Sequence, residues 1–136
     1  MDTSTSRECL RIFVVENHDD TRLALETLLA QLGHEVEAVA TMAAALSALP
    51  EADADVLISD IGLPDGNGWD LLSRLDVSRV PFAIAMSGYG MNADRERSRV
   101  AGYRHHMVKP MDLEKLEAYL AEAALERARA QQPARP

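Results

Sequence analysis

Between residues 56 and 68 the chain reads VLISDIGLPDGNG, an apolar run that stops on a carboxylate and opens into a loop rich in proline and glycine. A short apolar run without polar alternation predicts a strand covered on both faces. The Pro/Gly loop ends that strand and leaves Asp60 at its C-terminal tip. An acid in that position is either a solvated loop residue or the reactive group of a site.

A doubly covered strand needs neighbours, and the rest of the chain supplies them. Ile12-Phe13-Val14-Val15 is continuously apolar and ends in Glu16-Asn17-His18-Asp19-Asp20. Phe82-Ala83-Ile84-Ala85-Met86 follows Pro81 and ends at Ser87-Gly88-Tyr89-Gly90. His105-His106-Met107-Val108 is a short fifth strand ending at Lys109-Pro110. The run 36–39 is weaker, because Glu35 and Glu37 alternate with Val36 and Ala38, and it reads as an edge strand.

Helical patterns separate these strands. Leu25, Leu28, Leu29 and Leu32 recur at helical spacing, with Asp19 or Asp20 available as N-cap and Gly33 as the stop. Thr41 precedes a second helix carrying Met42, Ala45, Leu46 and Leu49, which Pro50 is expected to close. Asn67 or Gly68 opens a third, with Leu71, Leu72 and Leu75 inward. The fourth, from about Asn92 to Ala101, has a thin apolar face and carries Arg95, Arg97 and Arg99 before Gly102. Asp112 caps the last, which turns Leu113, Leu116 and Leu120 inward. Five strands alternating with five helices predict an α/β fold: a parallel sheet with right-handed crossovers and helices on both faces.

With 136 residues, 47% of them hydrophobic, the chain is one domain with a real core. Its boundaries fall at 11–126, between an N-terminal tail (1–10) and a disordered C-terminal tail (127–136). Fourteen basic residues against twenty-two acidic give a net charge of −8, which opposes nucleic-acid binding and gives no attraction to anionic membranes. The single Cys9 cannot form an internal disulfide, and no apolar stretch reaches membrane-spanning length. These features predict a soluble cytoplasmic domain.

In such sheets ligands bind beyond the carboxyl ends of the strands. The residues brought there are Glu16, Asn17, Asp60, Ser87 and Lys109. Together they offer oxygen ligands for a hard divalent cation such as Mg2+, a carboxylate, a hydroxyl and an ammonium. A lysine and a hydroxyl can hold phosphoryl oxygens, and an aspartate can act as a nucleophile and become an aspartyl phosphate. The chemistry assembled is phosphoryl transfer onto Asp60.

The motifs VVENHDD, SDIGLPDGNG, MSGYG and VKP, in this order and on these strand ends, resemble the receiver domain of two-component response regulators. The resemblance covers residues 11–125, and with only eleven residues after Leu125 the expectation is a stand-alone receiver or one cut from a longer protein. It implies a flavodoxin-like, doubly wound (βα)5 fold with strand order 2-1-3-4-5. By the same resemblance, Asp60 is the phosphoacceptor, Ser87 the hydroxyl that reorients toward the phosphoryl group and Lys109 the phosphate-binding lysine. His106 fills the switch position usually held by an aromatic; its other reading is a half-buried strand residue. The backbone carbonyl of Gly62 joins Glu16, Asn17 and Asp60 as a metal ligand, and Lys109-Pro110 carries a cis peptide. The family usually has two adjacent acids where this chain has Glu16 and Asn17. An amide in the second place makes the pocket formally −1 where an acid would make it −2, so Mg2+ binding is expected to be weakened.

The implied function is a phosphorelay signalling module that is not an enzyme and catalyses only its own phosphorylation and dephosphorylation. A histidine kinase or histidine phosphotransfer protein would be the donor, and the fourth helix, fifth strand and last helix would form the face that controls a downstream protein effector. A homodimer would use the same face. Arg95, Arg97 and Arg99 on it are either a solvated face or part of the docking surface. The alternative is a pseudo-receiver, a protein-interaction module that needs no phosphate, and Asn17 is its motivation. A phosphatase with an aspartate nucleophile would want that residue after the first strand, with an acid two positions on; the residue two beyond Asp60 is Gly62. A flavin-binding relative would want a hydroxyl-rich loop where ENHDD stands. His18, His34 and His105 show no ligand-like spacing.

Overall fold

The computed structural model describes residues 9–76, 81–88 and 92–130. Most of the N-terminal tail, Tyr89-Gly90 and the last six residues of the C-terminal tail lie outside these.

The apolar runs form the strands β1 (Arg11–Val15), β3 (Val56–Asp60), β6 (Phe82–Ser87) and β7 (His105–Val108), with β2 (Glu35–Val39) at the edge. They pair in parallel in the order β2-β1-β3-β6-β7, which is 2-1-3-4-5 when the strands of this sheet alone are counted. Two further strands, β4 (Gly62–Leu63) and β5 (Gly66–Asn67), make a small antiparallel ribbon around Pro64-Asp65. That ribbon has no counterpart in the sequence reading.

Alternation along the strands divides the core into two layers. Ile12, Val14, Ile58, Ile84 and Met86 face α1 (Asp19–Gln31) and α5 (Leu113–Ala130), where Leu25, Leu29, Leu116 and Leu120 meet them. Phe13, Val15, Leu57, Ala83 and Ala85 face the other way, toward α2 (Met42–Ala52) and α3 (Gly68–Ser73). The helix α4 (Asn92–Ala101) packs beside α3. Every residue of β3 is buried, as a central strand requires. No described helix is long and apolar enough to cross a membrane.

Several boundaries differ from the expectation. The N-cap position of α1 is His18, and Asp19 sits inside the first turn paired to Arg22 at 2.6 Å. Pro50 lies within α2, which continues to Ala52 and stops at Asp53 in the left-handed conformation (φ 51°). Gly33 does end α1 with φ 96°, a conformation open to glycine at no steric cost. Leu10, assigned to the tail, is fully buried in the core. The last helix runs to Ala130, so residues 127–130 are helical rather than tail. Arg127 explains the extension: its guanidinium donates to the Cys9 carbonyl and to Asp55 Oδ2, tying the helix end to the bottom of the sheet.

The same end of the sheet carries a pH-sensitive contact. His34 Nδ1 accepts a hydrogen bond from the Leu10 N–H at 3.1 Å, so the ring is neutral there. Burial first, and the Arg127 charge second, lower its pKa. A depressed histidine pKa contributes stability that is present above the unfolded value of about 6.5 and lost as pH falls through the folded value. Stability against urea should therefore fall on acidification below pH 6.5. The slope from this one proton cannot exceed about 1.4 kcal/mol per pH unit. His34→Asn keeps an acceptor for Leu10 and should remove that part of the slope; an unaltered slope would contradict the assignment.

Candidate functional site

Parallel pairing puts the C-terminal ends of β1, β3, β6 and β7 at one edge, where contacts join Glu16, Asp60, Gly62 and Lys109. Asp60 ends β3 and is buried. Its Oδ1 accepts from the Gly62 N–H at 3.2 Å and its Oδ2 from Lys109 Nζ at 2.8 Å. Lys109 Nζ also donates to Glu16 Oε1 at 2.6 Å, so one ammonium bridges two carboxylates from different strands. Glu16 has no exposed surface; its second oxygen accepts from the backbone N–H of His18 and lies 3.0 Å from His18 Nδ1. A Lys109-Pro110 cis peptide follows the lysine.

The two carboxylates titrate apart. Burial and the neighbouring charge of Glu16 push Asp60 above the usual carboxylate range despite its bond to Lys109. Burial acts on Glu16 as well, but bonds from Lys109 and from the His18 backbone hold it below that range. Burial works against the Lys109 ammonium, yet Asp60 and Glu16 raise its pKa overall.

The ribbon places Gly62 beside Asp60. Gly62 faces Asn67 between the Leu63–Gly66 pair and the Gly68 N–H bond to the Ile61 carbonyl, which makes 62/67 the non-hydrogen-bonded pair. Its N–H and C=O then both point outward on the side of Asp60, as the N–H bond to Oδ1 requires. The Oδ1 of Asn17 is buried and has no hydrogen-bond partner among the described residues. Glu16, Asp60, the Gly62 carbonyl and this orphaned amide oxygen are hard oxygen donors of the kind Mg2+ takes, so the residues present fit the ion. His18 joins Glu16 and Asp60 in a cluster whose ligand atoms lie within 4.8 Å of one another. Nothing in its spacing along the chain points to that cluster.

On the other side, Ser87 Oγ is 2.7 Å from His106 Nε2, and the Lys109 N–H donates to the Ser87 carbonyl at 2.8 Å. The loop after β3 is anchored from outside: Asp65 accepts from the N–H groups of Met42 and Ala43 at the start of α2, at 2.8 and 2.9 Å. Arg97 of the basic helix covers Trp69 at 4.0 Å and Arg99 pairs with Glu96.

The sequence matches the family described as response regulator receiver domain over residues 12–121. The chain belongs to that family. This receiver domain is 34% identical over 112 residues to the two-component response regulator PhoP of Pseudomonas aeruginosa, covering 82% of this chain and 50% of that protein. It is 31% identical over 122 residues to the sensory/regulatory protein RpfC of Xanthomonas campestris pv. campestris, covering 85% of this chain and 17% of RpfC. The chain thus spans half or less of these relatives. Among solved structures it resembles the N-terminal domain of an uncharacterized Wolinella succinogenes protein, with a TM-score of 0.82, 22% identity, and 90% of this chain and 100% of that one covered. CheY4 of Vibrio cholerae gives a TM-score of 0.76 at 22% identity, with 85% and 99% covered. At such identities the structural likeness speaks for the fold: receiver and neighbours share the five-stranded parallel sheet with helices on both faces. Receiver domains are signalling modules of two-component systems, and that class is the one to which this chain belongs.

Proposed function

We propose that this receiver accepts a phosphoryl group on Asp60 from the phosphohistidine of a histidine kinase or histidine phosphotransfer protein. The observation that carries the reading is the Lys109 ammonium bridging Asp60 and Glu16 at 2.8 and 2.6 Å. It leaves a buried carboxylate at a strand tip with one oxygen on a cation and the other on a backbone N–H.

In the reaction an Asp60 carboxylate oxygen attacks phosphorus. The new O–P bond forms as the P–N bond of the donor breaks, and the electron pair leaves with the donor imidazole, which takes up a proton. Lys109 faces the phosphoryl oxygens and offsets their charge, while the Ser87 hydroxyl supplies a further donor. Mg2+, when bound, neutralises charge on the phosphoryl oxygens; Glu16, Asn17, Asp60 and the Gly62 carbonyl would hold it. Water later hydrolyses the acyl phosphate, returning the carboxylate and inorganic phosphate. The chain catalyses only these two steps, on itself. Ser87 moves toward the phosphoryl group, His106 responds, and the face of α4, β7 and α5 shifts its equilibrium to control a downstream protein effector or a homodimer. Incubation with a small phosphodonor and Mg2+ tests the reading by a mass gain of one phosphoryl.

Asn17 sets the metal affinity. Titration of Mg2+, followed by Trp69 emission, should show binding weaker than millimolar, and Asn17→Asp should tighten it by about tenfold through the added ligand charge. Submillimolar binding by the natural sequence would contradict this. The same residue motivates a second reading, a protein-interaction module indifferent to phosphate. Equal partner affinity for the natural protein and Asp60→Ala would favour that one.

A further inference from the structure

We infer that Trp69 and Ser98 are positioning residues for the Ser87 hydroxyl, linked to it by a hydrogen-bond chain through both nitrogens of His106. The inference rests on the reading of Asp60 and Ser87 given above.

The chain runs across four elements. The Trp69 indole N–H, on α3, donates to Ser98 Oγ on α4 at 2.9 Å. Ser98 Oγ lies 2.9 Å from His106 Nδ1 on β7, and His106 Nε2 lies 2.7 Å from Ser87 Oγ at the end of β6. Ser98 is 1% exposed, the sole buried polar residue of α4 among its described side chains. A hydroxyl buried so deeply is costly unless bonded, and here it bonds on two sides. The indole N–H can only donate, so Ser98 Oγ accepts it and meets His106 with its remaining capacity. In either tautomer the ring has both nitrogens engaged, so it cannot turn away from one serine without disturbing the other. Arg97 stacked over the Trp69 ring at 4.0 Å adds a second tie between α3 and α4. The thin apolar face of α4 makes these polar ties matter to where the helix sits.

The arrangement belongs to the unmodified protein. If Ser87 turns to a phosphoryl group on Asp60, its Oγ leaves His106 Nε2, and the ring can respond only by loosening its contact with Ser98. Ser98 and Trp69 therefore resist the movement and slow phosphoryl uptake. Releasing the ring should speed it.

The test is the rate of phosphoryl uptake from acetyl phosphate with Mg2+, read by intact mass, on the full chain. Ser98→Ala should take up the group about fivefold faster than the natural sequence, the factor for one net hydrogen bond. Its Trp69 emission should no longer change on modification, whereas that of the natural sequence should. Trp69→Phe keeps a ring beneath Arg97 but removes the N–H, and should accelerate uptake about two- to threefold. A purely structural role would lower thermal stability and leave the rate unchanged, so faster uptake separates the two. Natural-sequence rates in both variants would overturn the inference while a mass gain upholds the phosphoacceptor. No mass gain in the natural sequence would overturn the reading beneath it. If Ser98→Ala does not fold, the Trp69→Phe rate decides alone by the same criterion.

Discussion

Replacing Lys109 by methionine should lower the unfolding free energy at pH 7 by about 3 kcal/mol, although the new side chain has similar length and greater hydrophobicity. Glu16 is fully buried and Asp60 nearly so, and this ammonium lies within bonding distance of both. Without it, two carboxylates face each other out of water, and removing one partner from a buried ionic group costs more than the group contributed. The sign with pH follows. Loss of Lys109 removes bonds that lower the pKa of both acids, so both rise in the folded variant. Groups with raised folded pKa destabilise as pH climbs through those values, so the deficit should shrink from pH 7 to pH 5. Adding Glu16→Gln leaves one buried charge and should recover part of the loss. A pH-independent deficit below about 0.5 kcal/mol would mean that the bridge does not hold the carboxylates together.

Gly68→Ala should be almost as damaging, for a steric reason. A Cβ at this position would lie 2.8 Å from the Asp60 carbonyl oxygen, 3.0 Å from Ile61 Cδ1 and 3.1 Å from the Tyr103 hydroxyl. The closest of these is backbone and cannot swing aside. The Gly68 N–H donates to the Ile61 carbonyl, and its own carbonyl accepts from Tyr103 Oη at 2.6 Å, so α3 cannot back away freely. Alanine's better helix propensity returns up to about 1 kcal/mol. Overpacking of this kind costs about 1–3 kcal/mol, and the net loss should be about 2 kcal/mol. Because the displaced atoms belong to Asp60 itself, phosphoryl uptake should slow as well. Gly62→Ala is the control: it is exposed, has nothing within 4 Å of a Cβ, and should match the natural sequence in urea midpoint. A Gly68→Ala midpoint equal to that of Gly62→Ala would contradict the close approach.

The sheet was legible because its central strands β1, β3 and β6 are largely apolar runs that end in sharply polar or glycine-rich stretches, and a parallel topology then fixes where those ends meet. Asp60, Lys109, Glu16, Asn17 and Ser87 could thus be brought together before any distance was known. What stayed hidden depends on residues far apart in the chain. Asp65 caps α2 across 23 positions, Trp69 reaches Ser98 across 29, and Arg127 returns to Cys9 across 118. His18 is two residues from Glu16, yet nothing in its spacing shows that Glu16 turns its second oxygen back onto it. Pro50 misled because proline usually ends a helix, whereas here the left-handed Asp53 does.

The central claim is that Asp60, held by Lys109, is a phosphoacceptor. Its most direct test is intact mass after incubation with acetyl phosphate and Mg2+, for the natural sequence and Asp60→Asn side by side. The account predicts a gain of one phosphoryl group on the first and none on the second. A gain on Asp60→Asn would put the acceptor elsewhere, and no gain on either would contradict the claim.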